Sequence, residues 1–499
     1  MSYKVPHYIG GKAVVVASAN SHTIYNPALG ESIGEVYFAD NSLCNQAIAT
    51  AKEAWPGWAE TAPVKRARIL FKFRELLEKF QYDIAHLITQ EHGKTLDDAK
   101  GSITRATEVV EFHCGLLAQL QGSFSAEAST HIDCHTLRQP LGLCAGVSPF
   151  NFPVMVPIWM MIPAIACGNT FILKPSEQDP SATIRLFELL TDAGLPAGVA
   201  NCLQGDKNTV DYLIAHPDIC SFTAVASTPV ARSIYTRATA EGKRAHTFGG
   251  AKNHAVIMPD ADLDQAAIAI TGAAFGSAGE RCMAISVVVT VGDHTADQLL
   301  ARLIPLIKAI RIDAGDAPGS EMGPLISRLH KERVISAIDQ GVKEGANLLI
   351  DGRSFQHPQH PQGYFLGPSL FDQVTESMSI YQNEIFGPVL VVVRTDNFDE
   401  ALDLVNRHQY GNGTAIFTRD GYSAREYSQR VQAGMVGINI PIPVPIANHP
   451  FGGWKNSCFG DTNMHGLESI NFYTRRKTVT SKWPVTELNE SAFVMPTNN

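Results

Sequence analysis

The segment Gly279-Glu280-Arg281-Cys282-Met283-Ala284 sets a single thiol among small residues just past a helical stretch. That arrangement can present a nucleophile on an exposed turn. It also suits a buried structural cysteine, since free Cys is among the most buried residue types. Ser148-Pro149-Phe150-Asn151-Phe152-Pro153 lies between two apolar runs. An Asn held between proline and aromatic residues can donate to a developing oxyanion without reorganising, or can simply form a turn. Leu173-Lys174-Pro175-Ser176-Glu177 ends an apolar run, the place where open α/β sheets bind ligands. Lys174 and Glu177 there can hold ribose hydroxyls; the other reading is an ordinary strand-to-helix turn with a serine cap. Glu384-Ile385-Phe386-Gly387-Pro388-Val389 leads into a further apolar run, so Glu384 can orient a second ribose. Pro450-Phe451-Gly452-Gly453-Trp454-Lys455-Asn456-Ser457 is a Gly-rich loop that also reads as a surface turn. Two phosphate-loop signals fail. Gly93-Lys94-Thr95 ends like a Walker A loop, but Ile88 stands where its first Gly belongs, and no G-x-G-x-x-G run exists.

These residues need elements to position them. Residues 45–90 carry apolar residues at helical spacing, with Leu70, Phe73, Leu76 and Leu77 as one stripe, and a further helix is predicted over 96–120. The pattern then alternates. Strands are predicted at 141–147, 168–173, 199–203 and 221–225, with helices near 182–193, 209–215 and from 229 onward, which implies a doubly wound parallel sheet. After Lys252 a second series follows, with strands at 255–258, 286–291, 389–393 and 435–440 and helices at 262–275, 295–310 and 325–344. The tail 473–483, alternating Thr and Val, reads as a strand that pairs elsewhere, as across a subunit interface. The expected fold is α/β: a Rossmann-like cofactor domain (1–120 and 138–251), a second α/β catalytic domain (252–465), and a small β oligomerisation element (121–137 and 466–499).

Composition bounds the function. A chain of 499 residues is too long for one hydrophobic core. A net charge of −9 without basic tracts argues against nucleic acid as a partner. Nine cysteines without a C-x-x-C pair fit a reducing compartment. Met1 to Gly10 shows no signal or transit pattern, so a cytoplasmic location is expected and the sequons at Asn412 and Asn489 read as unmodified. Residues 139–173 hold no charge, but Pro149, Pro153, Pro157 and Pro163 interrupt them, so no membrane span is expected. No zinc-finger spacing is present, and no metal is expected.

Asn-Phe-Pro, Lys-Pro-Ser-Glu, Gly-x-x-Cys, Glu-Ile-Phe-Gly-Pro and Pro-Phe-Gly-Gly-x-Lys occur here in the order and spacing of the aldehyde dehydrogenase superfamily, which the chain resembles from about residue 5 to 483. Residues 149–165, 250–264, 281–284 and 437–447 are similar to the methylmalonate-semialdehyde dehydrogenase branch, which is CoA-acylating. The resemblance implies Cys282 as nucleophile and Asn151 as oxyanion donor. It implies NAD held by Phe150, Lys174, Glu177, Ser227, Glu384 and Phe386, with coenzyme A as co-substrate. It also implies a small aldehyde bearing a carboxylate, gripped by Arg105 and Arg281 in the aldehyde tunnel, and a homodimer or homotetramer. Arg105 also reads as a surface helix arginine. Hydrolytic relatives open a Glu-Leu-Gly-Gly motif with a catalytic base; the matching stretch here, His246-Thr247-Phe248-Gly249-Gly250, has no carboxylate. Water attack should then be slow, and a thiol acceptor is favoured over release of a free acid. Two departures stand out. Ala226 replaces the glycine of the cofactor motif, the one feature that favours a silent binding paralogue, and Glu280 replaces the usual Gln.

Overall fold

The computed structural model describes residues 3–483; the sequon at Asn489 and the end of the proposed oligomerisation element lie outside the described residues. Two large sheets dominate. The first has eight strands, and its centre is the parallel set Arg244–Phe248, Ile219–Val225, Leu143–Val147, Thr170–Lys174 and Ala200–Cys202. Strands Leu143–Val147 and Thr170–Lys174 are buried at every position, as expected of continuous apolar runs covered by helices on both faces. The second sheet has seven strands, with Val389–Thr395, Ile285–Val291, Asn253–Ile257, Gly413–Phe417 and Met435–Ile438 running parallel.

Between Leu143–Val147 and Thr170–Lys174 the uncharged segment forms the helix Met155–Ala166, buried all round. It is a core helix; among the described residues no helix is long and apolar enough to cross a membrane. The helical run 45–90 is three helices, Asn41–Glu60, Pro63–Lys79 and Gln81–His92. Pro63 starts its helix because its missing N–H costs nothing in a first turn, and Gly93 stops the third at φ +95°. The next helix, Leu96–Cys114, opens on a Thr95 hydroxyl that caps the Asp98 N–H.

Three features differ from the sequence-based reading. The first sheet is extended by His7–Ile9 and Lys12–Val14, and its other edge by the short strand Cys458–Phe459, which pairs antiparallel with Arg244–Phe248. Residues assigned to the second unit thus complete the first sheet. The tail strand Thr474–Lys482 finds its partner within the chain, pairing antiparallel with Ile132–Pro140 from Thr474↔Pro140 to Lys482↔Ile132. Together with Phe124–Ser129 it makes a separate three-stranded sheet.

Candidate active site

A cleft of about 770 Å³ opens where Leu143–Val147, Thr170–Lys174 and Ile219–Val225 end, the carboxyl edge at which open parallel sheets bind ligands. Phe150, Asn151, Lys174, Glu177, Ser227, Cys282, Glu384 and Phe386 all line it. Residues as far apart in sequence as Phe150 and Phe386 are brought together because each stands at a strand end or on a loop next to one.

Cys282 follows a tight turn in which Ser277 and Ala278 hold φ near +50° and Gly279 φ +74°. A Cβ on Gly279 would lie 2.2 Å from the Gly387 carbonyl oxygen, so the nucleophile turn seats against the Glu384–Pro388 segment only because residue 279 has no side chain. The Cys282 carbonyl accepts from the side-chain amides of Asn253 (2.9 Å) and Asn412 (3.0 Å). Burial and the neighbouring Glu384 carboxylate push the thiol up to about 12, against the pull of the Cys282 and Met283 backbone N–H groups. Asn151 is buried and lines the cleft, and among the described residues no protein group is hydrogen-bonded to its side-chain amide. Its backbone is anchored instead: the Lys94 ammonium, buried, donates to the Asn151 carbonyl at 2.6 Å and lies 4.3 Å from the Phe152 ring centre. The Gly-Lys-Thr segment that fails as a phosphate loop therefore positions the amide. Nothing in its local sequence marks that role.

The cofactor side is suited to a dinucleotide. Lys174 and Glu177 are ion-paired at 2.7 Å. Burial raises the Glu177 carboxyl, but the Lys174 ammonium outweighs it and keeps the group ionised. Ser227 is the N-cap of helix Thr228–Ala240, yet its hydroxyl caps no N–H of that helix. The serine hydroxyl and the Thr228 and Val230 N–H groups, Pro229 between them having none, are left as donors for a pyrophosphate. Ala226 holds no left-handed backbone angle, and its N–H bonds the Phe248 carbonyl at 3.0 Å, so its methyl group costs no strain here. Gly250 makes room for Glu384, whose Oε2 would be 2.4 Å from a Cβ at that position. Glu384 Oε1 accepts from Ala251 N–H at 2.9 Å, and burial lifts its carboxyl to about 7. The Gly-rich loop 450–457 is no plain surface turn. Its Ser457 carbonyl receives the Gly249 N–H at 3.0 Å, and its Lys455 ammonium binds the Asn406 and His408 carbonyls.

Glu280 is fully buried, 3.8 Å from His92 Nε2 and 3.6 Å from His330 Nε2. Burial drives its carboxyl well above the usual range, so it sits as a neutral acid, close in character to the Gln it replaces. Neither arginine lines the cofactor cleft, Arg281 lines a small adjoining cavity with Cys282 and Glu384, and both are ion-paired. Arg281 donates to Asp98 at 2.5 Å, and Arg105 to Glu108 at 2.8 Å on its own helix. A guanidinium this close to the first turn of helix Leu96–Cys114 finds the carboxylate that the helix dipole favours there. Phe248, at the end of Arg244–Phe248, is buried beside the two cleft-lining glycines, and the stretch 246–250 itself carries no carboxylate.

The aldehyde dehydrogenase family profile matches residues 15–479. The chain is 51% identical over 491 residues to a malonate-semialdehyde dehydrogenase of Pseudomonas aeruginosa, covering 98% of this chain and 99% of that one. It is 44% identical over 492 residues to a human mitochondrial methylmalonate-semialdehyde/malonate-semialdehyde dehydrogenase (acylating), covering 98% and 92%. A Sinorhizobium meliloti structure solved with NAD, assigned as a methylmalonate-semialdehyde dehydrogenase, superposes at TM-score 0.96 with 52% identity, covering 98% and 100%. With a thiol, a buried amide and a dinucleotide-shaped cleft brought together at the strand ends of this fold, the chain belongs to the aldehyde dehydrogenase family.

Proposed function

We propose that the protein oxidises malonate or methylmalonate semialdehyde with NAD and passes the acyl group to coenzyme A, with loss of CO₂, to give acetyl-CoA or propionyl-CoA. The relatives carrying these activities in their names support the substrate. The observation that carries the acylating step is that the stretch 246–250, where hydrolytic relatives carry their catalytic base, holds no carboxylate of its own. Among the described residues the only carboxylates lining the cleft are Glu177, paired with Lys174, and Glu384, bonded to Ala251 N–H, while Phe248 fills the strand end.

In this reading Cys282 Sγ, deprotonated, attacks the aldehyde carbon. The oxyanion is received by the Asn151 side-chain amide and the Cys282 backbone N–H. NAD, when bound, supplies the hydride acceptor. Lys174, Glu177 and Glu384 hold its riboses, Ser227 and the helix behind it the pyrophosphate, and Phe150 and Phe386 pack beside it. The thioester left on Cys282 Sγ loses the β-carboxylate as CO₂, and the enolate that remains takes up a proton from water at its α-carbon. The same two donors then stabilise attack by the CoA thiolate, which releases Cys282. Arg105 and Arg281 supply positive charge for the substrate carboxylate; Arg281, tied to Asp98, acts as a fixed charge beside the nucleophile. Nine free cysteines fit a cytoplasmic enzyme. The exposed Phe124 and Leu137 on the three-stranded sheet support assembly into a homodimer or homotetramer.

The test is NADH formation from malonate semialdehyde with CoA present or omitted. A positioned base is worth about 10²–10⁴-fold, so without CoA the steady rate should fall by at least about tenfold after one enzyme equivalent of NADH, and acyl-CoA should be the product when CoA is present. Equal steady rates with free acid as product in both arms would establish the hydrolytic alternative. The ionised Glu177 also predicts cofactor choice. A carboxylate there accepts from ribose hydroxyls and repels a 2′-phosphate. kcat/KM should favour NAD over NADP by about tenfold or more, about 1.4 kcal/mol; equal values would contradict this placement of Glu177.

A further inference from the structure

Away from the cleft's cofactor side, two buried donors point at no partner. His465, 2% exposed, has neither ring nitrogen hydrogen-bonded, and the indole N–H of Trp159, 3% exposed, is equally unpaired. The two rings meet edge to face, 4.4 Å apart at 89°. Buried polar groups are nearly always satisfied, and an orphan carries the full cost of its lost hydration. Two such groups in contact are best explained by a ligand that completes them.

The pair belongs to the reaction centre by continuity. Trp159 stands on helix Met155–Ala166, which begins four residues after Asn151. Phe451 touches both rings, 4.8 Å from Trp159 and 5.8 Å from His465, and lies 6.5 Å from Phe248, the residue before the cleft-lining Gly249 and Gly250. Phe152, Phe248, Phe451, Trp159 and Met283 share one apolar cluster, against which Cys282 packs. The ring contacts Trp159–Phe451–Phe248 thus link the donor pair to the glycines of the cleft, and Cys282 packs against the same apolar cluster.

Among the described residues no carboxylate is hydrogen-bonded to the pair. His113 is satisfied by the Val109 carbonyl and the Ser469 hydroxyl. Burial, then the fields of His113 and Arg105, hold His465 down to about 3, so the imidazole is neutral and offers one N–H. Arg105, ion-paired with Glu108, is the cation whose field reaches it. We infer that His465 and Trp159 form a donor pair that receives the carboxylate of an acidic aldehyde bound at Cys282, with Arg105 supplying the positive field. His465 is then a specificity-determining residue. The inference rests on the acid-semialdehyde reading above and adds the side chains that read the acid.

The test compares kcat/KM for malonate semialdehyde and for propanal, at saturating NAD and CoA, in wild type, His465→Leu, His465→Gln and Trp159→Phe. A hydrogen bond to a charged group is lost in His465→Leu, so the acid-to-neutral ratio should fall about tenfold or more. The loss should lie in KM for the acid, and the inhibition constant of malonate, a dead-end competitor for the aldehyde site, should rise by the same factor. His465→Gln keeps an N–H and should recover part of the ratio; Trp159→Phe should lower it in the same direction. Thermal midpoints are measured in parallel, and Trp159→Phe, which removes the indole N–H and part of the ring while keeping an aromatic face, decides the matter through its acid-to-neutral ratio if His465→Leu does not fold. Ratios within twofold of wild type in the folded variants overturn the donor pair while leaving the acid-semialdehyde reading standing. A wild type that shows no preference for the acid overturns both.

Discussion

Cys282→Ala should abolish NADH formation, by a factor on the order of 10⁴ or more, while the fold is retained. Removing a catalytic nucleophile costs losses of that scale even when every other catalytic group remains. Among the described residues no second thiol lines the cleft, so no other cysteine there can take over the covalent step. The turn around residue 282 does not depend on the sulfur. Its carbonyl is held by Asn253 and Asn412, and the turn is seated by Gly279 against Gly387. The variant should therefore unfold at a temperature close to wild type, and turnover above about a hundredth of wild type would remove Cys282 from the mechanism. The thiol carries its own pH test. Burial and Glu384 push it up to about 12. Far below its pKa the thiolate fraction rises tenfold per pH unit, so iodoacetamide should alkylate Cys282 of the free protein about ten times faster at each successive unit between pH 7 and 9. A plateau across that range would mean that the thiol is already ionised.

The sequence shows most clearly what is local and apolar. Leu143–Val147, Thr170–Lys174 and Ile285–Val291 are legible because strands buried on both faces are unbroken runs of apolar residues. Arg244–Phe248 is not, although it lies in the same sheet. Its Arg-Ala-His-Thr-Phe composition reads as polar, and the strand exists because His246 stacks 3.6 Å from Phe472 and the Thr247 hydroxyl bonds Ala231. The same division runs through the site. Cys282, Asn151, Lys174 and Glu384 stand in motifs, so their type and order survive in one dimension. Their supports do not. Lys94 reaches Asn151 across 57 residues, and Arg281 reaches Asp98 across 183. The arginine was legible as a residue, but the partner that takes up its charge was not. His465 has no motif at all; only its burial without a partner reveals it.

Asn151→Ala should lower kcat by about 10²–10³-fold, the cost of removing one preorganised oxyanion donor. KM for NAD should change little, because the lost amide faces the reacting carbonyl. What makes the amide effective is the rigidity of its backbone. The Lys94 ammonium holds the Asn151 carbonyl, and the Thr183 hydroxyl holds the Pro153 carbonyl at 2.6 Å. The anchor is also shared. Asp98, one helical turn beyond Lys94 and 4.0 Å from its ammonium, grips Arg281 beside the nucleophile. One short stretch thus fixes the donor on one side of the reacting carbon and the nucleophile turn on the other. Lys94→Met should lower kcat as well, by a smaller factor, through misplacement of Asn151. Groups that act through one another are not additive. In an Asn151→Ala background, Lys94→Met should therefore cost clearly less in kcat than it does alone, the remainder reflecting its contact with Asp98, with Lys94→Arg restoring part of the loss in the native background. If the two single losses multiply in the double variant, Lys94 acts independently of the amide, and its contact with Asn151 is structural.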